Sequence, residues 1–277
     1  MKKSALVLLL LLVSTSITAQ KKEKIKGSKT VTIESKEIGN FNAIEVEDNI
    51  EVYLEKGTKN EIKIEADENL HDIITTELRD NTLRIYTTKN AGSYKKLVVR
   101  ITYTPDLKKV TAKNEAVINA IEQLELDTVE FDALDYSKLF LNANCTQFIL
   151  KSNDKTKVEL NLKAVNTQVE LSKNATLKAL LTTTDLKCDG YQKTIATLEG
   201  DISNATIRLD NNAILSGKKL TTKKADVTLE GYTTCSITAE TNLILDASDQ
   251  SEMTFLGEPK IEIRAFTGES KLIKKLK

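Results

Sequence analysis

The only histidine of the chain, His71, is the first residue whose side chain could do chemistry. An imidazole can act as a general base or as a metal ligand, and Glu68 and Asp72 stand close to it in the sequence. A zinc site needs three or four converging ligands, and a Ser-His-Asp triad would have to use this one base without a G-x-S-x-G segment. We therefore expect a structural segment in which residues 67–69 start a turn or a single helical turn and His71 points to solvent.

Two aspartates, Asp135 and Asp154, are the candidate metal ligands. They occupy the same position in neighbouring copies of a sequence repeat, and Asn114 occupies it one copy earlier. Carboxylate and amide oxygens are the ligands that calcium prefers, and stacked strands would hold them about 5 to 7 Å apart. Asp and Asn are also ordinary turn residues, and Lys173 stands at the next equivalent position. A weak calcium site and a set of plain turn residues both stay open.

Polysaccharide cleavage is the enzymatic alternative. It would need paired carboxylates and aromatic platforms for the sugar rings. Tryptophan is absent, and the seven tyrosines are scattered, with Tyr136, Tyr191 and Tyr232 in the turns of repeats that do not adjoin. We interpret Tyr136 and Tyr191 as residues that pack over the turns. We favour a protein that is not an enzyme and has no cofactor.

Composition and charge bound the function further. The chain has 40 basic and 40 acidic residues among 277, so it lacks the positive excess that favours nucleic-acid binding. With 5% aromatic residues, the core must be built from Leu, Ile, Val and Ala. Cys145, Cys188 and Cys235 are odd in number and widely spaced, and we interpret them as small buried hydrophobes, with one disulfide as the alternative.

The first 29 residues are predicted to lie outside the folded domain. Two lysines, nine apolar residues (Ala5 to Val13) and a polar stretch ending at Ala19 are typical of a secretory signal peptide, residues 1–19. Nine apolar residues are too few to cross about 30 Å of hydrocarbon. Residues 20–29, QKKEKIKGSK, are interpreted as a flexible basic leader. Residues 30–277 are then one domain of an exported protein, periplasmic or at the outer surface, with no transmembrane segment after cleavage.

A repeat with a period near 19 runs through the chain after residue 106. We align it on the last residue of a short turn, whose successive spacings are 21, 19, 19, 18, 20, 20, 18 and 19. The residue two places later is apolar in every repeat, and six places earlier only Lys187 and Arg264 interrupt an apolar column. The aligned turn residues are Ala116, Ser137, Thr156, Ala175, Lys193, Ala213, Thr233, Ser251 and Ser270. The apolar residues two places later are Ile118, Leu139, Val158, Leu177, Ile195, Leu215, Cys235, Met253 and Leu272.

This period predicts an all-β solenoid. A propeller blade needs about 40 to 45 residues and leucine-rich repeats need an L-x-x-L-x-L frame, so a parallel β-helix is favoured. About nine rungs stacked at ~4.8 Å would form a rod of about 43 Å whose inward side chains lie in columns. Residues 31–105 alternate apolar and polar, which predicts antiparallel or mixed strands and a hairpin around Asp80-Asn81. The tail SKLIKKLK is interpreted as a lysine guard on the open end of the solenoid.

The segment FNAIEVEDNIEVYLEKGTKNEIKIEADENLHDIITTELRDNTLRIYTTKN carries a family resemblance. Its frame in Phe41 to Val46, Asn49 to Leu54 and Ala66 to Leu70 resembles the "putative auto-transporter adhesin" head GIN domain family of exported proteins, common in Bacteroidetes. The resemblance spans residues 38–115, and the later repeats match in rhythm alone. It implies a right-handed parallel β-helix similar in shape to pectin lyases, with no implied activity. Many members carry G-S-G-like turns, whereas the turns of this chain use Asp, Asn and Ser.

The pattern as a whole predicts an exported, non-catalytic β-solenoid with a binding, adhesion or scaffolding role in the cell envelope. Its partner would be a cell-envelope or extracellular ligand, a glycan or a protein. The alternative is a polysaccharide lyase or hydrolase that acts through a groove on the β-helix.

Overall fold

The computed structural model describes residues 22–276, so the predicted signal peptide lies outside the described residues. This part of the chain is almost entirely β-structure, with one 3-10 helix at Glu68–Ile73. None of its helices has the length and apolar character needed to cross a membrane. The strands are β1 (Lys24–Lys26), β2 (Val31–Glu37), β3 (Ala43–Val46), β4 (Glu51–Lys56), β5 (Glu61–Asp67), β6 (Ile74–Arg79), β7 (Thr82–Thr87), β8 (Asn90–Gly92), β9 (Leu97–Tyr103), β10 (Lys109–Ala112), β11 (Val117–Ala133), β12 (Lys138–Asn153), β13 (Lys157–Ser172), β14 (Thr176–Tyr191), β15 (Ile195–Asp210), β16 (Ile214–Leu229), β17 (Thr234–Ala247), β18 (Glu252–Leu256), β19 (Lys260–Phe266) and β20 (Lys271–Lys274).

The N-terminal strands form a mixed arrangement, as predicted. Strand β5 pairs antiparallel with both β2 and β9, whereas β3 pairs parallel with β7 and β10. Strands β6 and β7 form the predicted hairpin, and Asp80 and Asn81 at its tip have φ of 48° and 60°. Two successive left-handed residues are the signature of a type I′ turn, which Asp and Asn tolerate better than most residues.

Strands β11 to β17 confirm the predicted parallel solenoid, which has about nine turns. Each strand pairs with the equivalent strand of the next rung, so Leu139 lies opposite Val158, and Val158 lies opposite Leu177. All three side chains are buried. Because no rung can bury its apolar face alone, this stack of aliphatic columns is what holds the rod together.

The predicted register is wrong at one rung. Leu177 lies opposite Ala196, not Ile195, and the Ile195 side chain is 46% exposed on the outer face. The alignment on Lys193 favoured Ile195 because isoleucine is the more apolar of the two neighbours, but Lys193 is itself a left-handed turn residue with φ of 64°. The buried anchor is Thr194, which restores the spacing of 19 and places buried Cys188, in the place of Lys187, in the apolar column six residues earlier.

Each turn of the solenoid ends in a small side chain. Two successive residues with positive φ reverse the chain in the first six turns, for example Asp135 (51°) and Tyr136 (67°), and a single one, Gly231, Asp249 or Gly268, does so in the last three. The turns stack through the backbone, since the Tyr136 N–H donates to the Asp154 carbonyl at 3.0 Å. The last residue of each turn enters a corner that is too narrow for a large side chain. The buried residues at this position are Ala116, Ser137, Thr156, Ala175, Thr194, Ala213, Thr233 and Ser251.

The prediction of a flexible leader is wrong for the residues that the structure describes. Lys24–Lys26 forms β1, which pairs parallel with β8. The buried carboxylate of Asp67 holds this arm, because the Lys29 N–H donates to its Oδ2 at 2.9 Å and the Lys95 and Lys96 N–H groups donate to its Oδ1 at 3.0 and 2.9 Å. Nothing in the basic composition of the leader indicates that its backbone has partners elsewhere.

The three cysteines are buried and free, as expected for small hydrophobes, so the alternative of a disulfide is wrong. Burial raises the pKa of the Cys145 thiol to about 11 and that of Cys188 to about 12. Burial also raises the pKa of Cys235. Thiols in this state stay protonated at neutral pH and are poor nucleophiles.

Candidate functional site

The structure places His71 under β2 rather than in solvent. The predicted helical turn is present, with Leu70 and Ile73 packed into the core. The imidazole is 6% exposed, its Nε2 lies 3.0 Å from the Thr32 hydroxyl, and its Nδ1 lies 3.5 Å from a Glu34 carboxylate oxygen. The prediction that His71 points to solvent is therefore wrong, because β2 pairs with β5 and its side chains cover the helix. Its surroundings are those of a packed polar side chain.

Asp135 and Asp154 occupy equivalent turn positions on adjoining rungs, as the repeat predicts. Within residues 22–276, no group of three His, Cys, Asp or Glu side chains is placed to hold a metal ion. Calcium binding at this pair stays a prediction. Asp135 also lines a cleft of about 810 Å³ between the turns and the β1–β8 arm. Tyr136, in the same turn, is covered by Lys155, whose Nζ lies 5.0 Å from the ring centroid.

An apolar groove on the outer face of β11 to β15 is the stronger candidate for a functional site. Its first wall comes from extra residues in the sequence. Ala120 pairs with Leu141 and Leu124 pairs with Ala143, so three residues of β11 stand where β12 has only one. The surplus forms a bulge, which pushes Ile121 outward until 68% of it is exposed. Bulges of this kind commonly re-aim side chains beside functional sites.

The far wall of the groove lies at β15, beside a bulge between β15 and β16. Thr197 pairs with Ser216 and Glu199 pairs with Lys219, which leaves one extra residue in β16. The Lys219 ammonium lies 3.3 Å from the Glu199 carboxylate and joins the two strands at this bulge. Gly200 has φ of 112°, and a Cβ at this position would lie 2.0 Å from the Leu181 carbonyl oxygen, so the bend requires glycine.

Between the two bulges, the groove has a volume of about 510 Å³ and is mostly apolar. Leu180 is 52% exposed in it, and Phe140 and Ile121 line the same face. The buried floor consists of Leu141, Leu160 and Ala179.

The few polar side chains in the groove lie in outward columns on adjoining rungs. Phe140, Glu159 and Lys178 occupy one outward column on three adjoining rungs, which places opposite charges side by side. In the next column, the Asn161 amide donates to the Asn142 side-chain oxygen at 3.2 Å. These groups can orient a ligand by hydrogen bonds and charge, while the apolar residues supply the contact area. His71 does not line the groove.

The groove is not apparent from the sequence pattern. Outward apolar residues such as Ile121 and Leu180 are hard to separate from core residues when every rung is rich in Leu and Ile. One signal was available, because the first spacing of the repeat is 21 rather than 19. Insertions into a solenoid collect on one face and often form its binding surface, so that spacing marks β11 as the place to search.

Comparison with known proteins agrees with this fold. The family described as "Putative auto-transporter adhesin, head GIN domain" matches residues 40–259, and the chain belongs to that family. No curated protein matches the chain.

Solved structures share the architecture at low sequence identity. A "putative adhesin" from Parabacteroides merdae has a TM-score of 0.63 at 18% identity, over 91% of this chain and 99% of that one. A "putative lipid binding protein" from Parabacteroides distasonis has a TM-score of 0.63 at 15% identity, over 91% and 100%. A second "putative adhesin" from P. distasonis has a TM-score of 0.58 at 16% identity, over 91% and 100%. At these identities the likeness shows a shared fold.

Proposed function

We propose that this head GIN domain protein is an exported, non-catalytic binding protein of adhesin type in the cell envelope, and that the groove is its contact surface. One observation carries the proposal: the exposed side chains of Ile121, at the β11 bulge, and Leu180, on β14, line the same largely apolar groove on an otherwise regular face. An exposed apolar groove with polar residues beside it marks an interaction site. The adhesin descriptions of the family and of two structural relatives support the same class of function.

The groove suits a segment of another protein better than it suits a glycan. Sugar rings are held by aromatic platforms, and Phe140 is the only aromatic residue that lines the groove. Aliphatic side chains such as Ile121 and Leu180 instead contribute by excluding water against a partner's apolar side chain. The Glu159 and Lys178 pair would set the orientation of that partner, since charges near an apolar patch favour one register over another.

Export rests on residues 1–19 and is part of the proposal. If the signal peptide is removed after Ala19, the protein recovered from the cell envelope begins at Gln20. N-terminal sequencing of the protein from fractionated cells tests this directly. A cytoplasmic protein that keeps Met1 would contradict export.

A binding panel tests the groove. Full-length protein is applied to immobilised extracellular proteins and to a glycan array, alongside the double variant Ile121→Asn/Leu180→Asn. We expect a protein ligand to be retained and its affinity to fall at least about tenfold in the double variant, because two central apolar contacts are lost. Val165→Asn is the matched control, since Val165 is also an exposed aliphatic residue but does not line the groove.

Two outcomes would overturn the proposal. Equal affinity of the double variant and the control would remove the groove as the contact surface. Release of reducing ends or unsaturated products from an acidic polysaccharide would show that the protein is a lyase or hydrolase.

A further inference from the structure

Within residues 22–276, the last rung of the rod leaves its core columns uncovered. Leu245 is fully buried, whereas Ile263, its partner in the next rung, is 50% exposed. In the neighbouring column, Leu243 is fully buried and Ile261 is 38% exposed. Phe266, which ends β19, is 43% exposed. Solenoids need a polar terminal repeat for solubility, and apolar columns that end in the open therefore mark a contact surface.

The outer edge of this end is open as well. Within residues 22–276, β19 pairs with β17 and with no later strand, and β20 pairs with β18 alone. Their outer N–H and C=O groups are therefore available to a partner. Leu276, beyond β20, is 87% exposed, which adds one more apolar side chain to the same end.

The same end is basic. Lys274 pairs with Glu258, with its Nζ 2.6 Å from the carboxylate. Three further lysines have no carboxylate of residues 22–276 in ion-pair contact, whereas Glu269 is the one carboxylate of residues 257–276 without a basic partner there, so this end carries two positive charges in excess. The three lysines are Lys260, Lys271 and Lys275.

We propose that this end docks on an anionic phospholipid surface. Apolar side chains beside unpaired lysines are the combination that binds such a surface, because the aliphatic groups enter the interface while the ammonium groups meet the phosphates. The free N–H groups of β19 are further donors for phosphate oxygens. Only the end of the rod contacts the lipid, through Ile261 and Ile263 of β19 and through Leu276 after β20.

A second copy of the chain fits this end less well. Two identical ends would bring the same unpaired lysines together, and like charges that face each other disfavour association. Lysines on an open strand edge also discourage pairing with another strand. An anionic lipid surface removes this repulsion, since it supplies the charge that the end lacks.

Docking by the end leaves the sides of the rod free. The groove lies on β11 to β15, several rungs away from β19, so a rod that stands on a membrane would present it away from the lipid. The proposal does not depend on the function of the groove, because it uses a separate set of residues.

Vesicle co-sedimentation tests the proposal with the full chain. We expect binding to vesicles of phosphatidylglycerol and phosphatidylcholine, and little binding to phosphatidylcholine alone. The variant Lys271→Gln/Lys275→Gln should bind the anionic vesicles about 25-fold more weakly, at roughly fivefold per lysine. Leu276→Asn should also weaken binding, and this exposed residue can change without disturbing the fold.

The matched control is Lys157→Gln/Lys163→Gln, which removes the same charge from exposed positions of β13, in the middle of the rod. Its binding should equal that of the unmodified chain. Equal binding of the chain to both kinds of vesicle, or an equal loss in the control and in Lys271→Gln/Lys275→Gln, would overturn the proposal. A dimer in sedimentation velocity without lipid that Leu276→Asn converts to monomer would show that a second copy covers this end instead.

Discussion

The two ends of the solenoid differ in how their apolar core is covered. At the N-terminal end, strands β2 to β9 and the 3-10 helix close the tube, and residues such as Ile62, Ile64 and Leu83 are fully buried. At the C-terminal end, Ile261 and Ile263 continue the aliphatic columns and stay exposed. A repeating coil has no internal reason to stop, so each end must be covered by another part of the chain or by a partner.

The contrast between the ends shows that a leucine contributes more or less to the stability of the fold depending on its place in an inward column. Leu177 and Leu272 belong to the same inward column, but Leu177 has a rung on either side and Leu272 has a rung on only one. Stability should therefore concentrate in the middle and at the closed end, while the open end keeps its apolar surface for contacts.

The largest expected effect comes from a charge placed in the middle of that column. Leu177→Asp buries a carboxylate without a partner and should lower the free energy of unfolding by more than about 4 kcal/mol. Several rungs should unfold together, because each supports its neighbours. Circular dichroism against temperature measures the loss of β-structure.

Leu272→Asp is the matched control in the same column. Its side chain is only partly buried, so we expect a loss below about 2 kcal/mol. Equal losses in Leu177→Asp and Leu272→Asp would contradict the distinction between a covered and an open rung.

The next largest effect concerns the closed end. Asp67→Asn keeps the size of the side chain but removes the charge that accepts backbone N–H groups from Lys29, Lys95 and Lys96. The variant should lower the thermal midpoint and release β1 from β8. Hydrogen exchange of the β1 amides reports the release directly, and β20 amides should stay unchanged.

In the unmodified chain, low pH should remove the stabilisation that the Asp67 carboxylate provides. Burial raises the pKa of Asp67, but the three N–H donors outweigh it, so the pKa in the folded protein lies below the ordinary value. A carboxyl group with a lowered folded pKa stabilises the protein above the unfolded pKa of about 4 and loses this effect as the pH falls through the folded pKa. The stability difference between the chain and Asp67→Asn should thus be large at neutral pH and shrink in acid. A difference that grows in acid would contradict the role of Asp67.

The smallest expected effect on stability comes from exchanging glycine and glutamine at the left-handed positions of the turns. Gly231 and Gly268 hold the left-handed position in two of the three turns nearest the open end, whereas Gln192 holds the equivalent position with φ of 56°. Gln192→Gly should raise the free energy of unfolding by about 0.5 to 1 kcal/mol, because it relieves the strain of a left-handed side chain. The reverse change, Gly268→Gln, should destabilise, since a Cβ there would lie 2.7 Å from the Asp249 carbonyl oxygen. Urea denaturation measures both, and equal signs would refute the argument.

Most of the coil could be predicted from its period. The inward columns, the turns and the hairpin at Asp80-Asn81 all depend on local patterns that the chain repeats. The error at Ile195 has a simple cause: where an aliphatic residue follows a turn residue directly, apolarity alone cannot decide which neighbour points inward. A constant spacing of 19 would have selected Ala196.

Other features depend on contacts between distant segments and left little trace in the sequence. The cover over His71 comes from Thr32 and Glu34, nearly 40 residues earlier in the chain. The pairing of β1 depends on Asp67, whose sequence neighbours indicated a helix start. The groove can be located only from the register of β11 against β12. That register shows that the two extra residues of β11 form a bulge on the outer face.

Hydrogen–deuterium exchange along the rod tests the contrast between the ends most directly. Amides of β4, β5 and β9 at the closed end, and of β12 to β16, should exchange slowly. Amides of β19 and β20 should exchange orders of magnitude faster and become protected when phosphatidylglycerol vesicles are added. If β19 and β20 of the protein alone are as protected as β14, the C-terminal end is not open and the account is wrong.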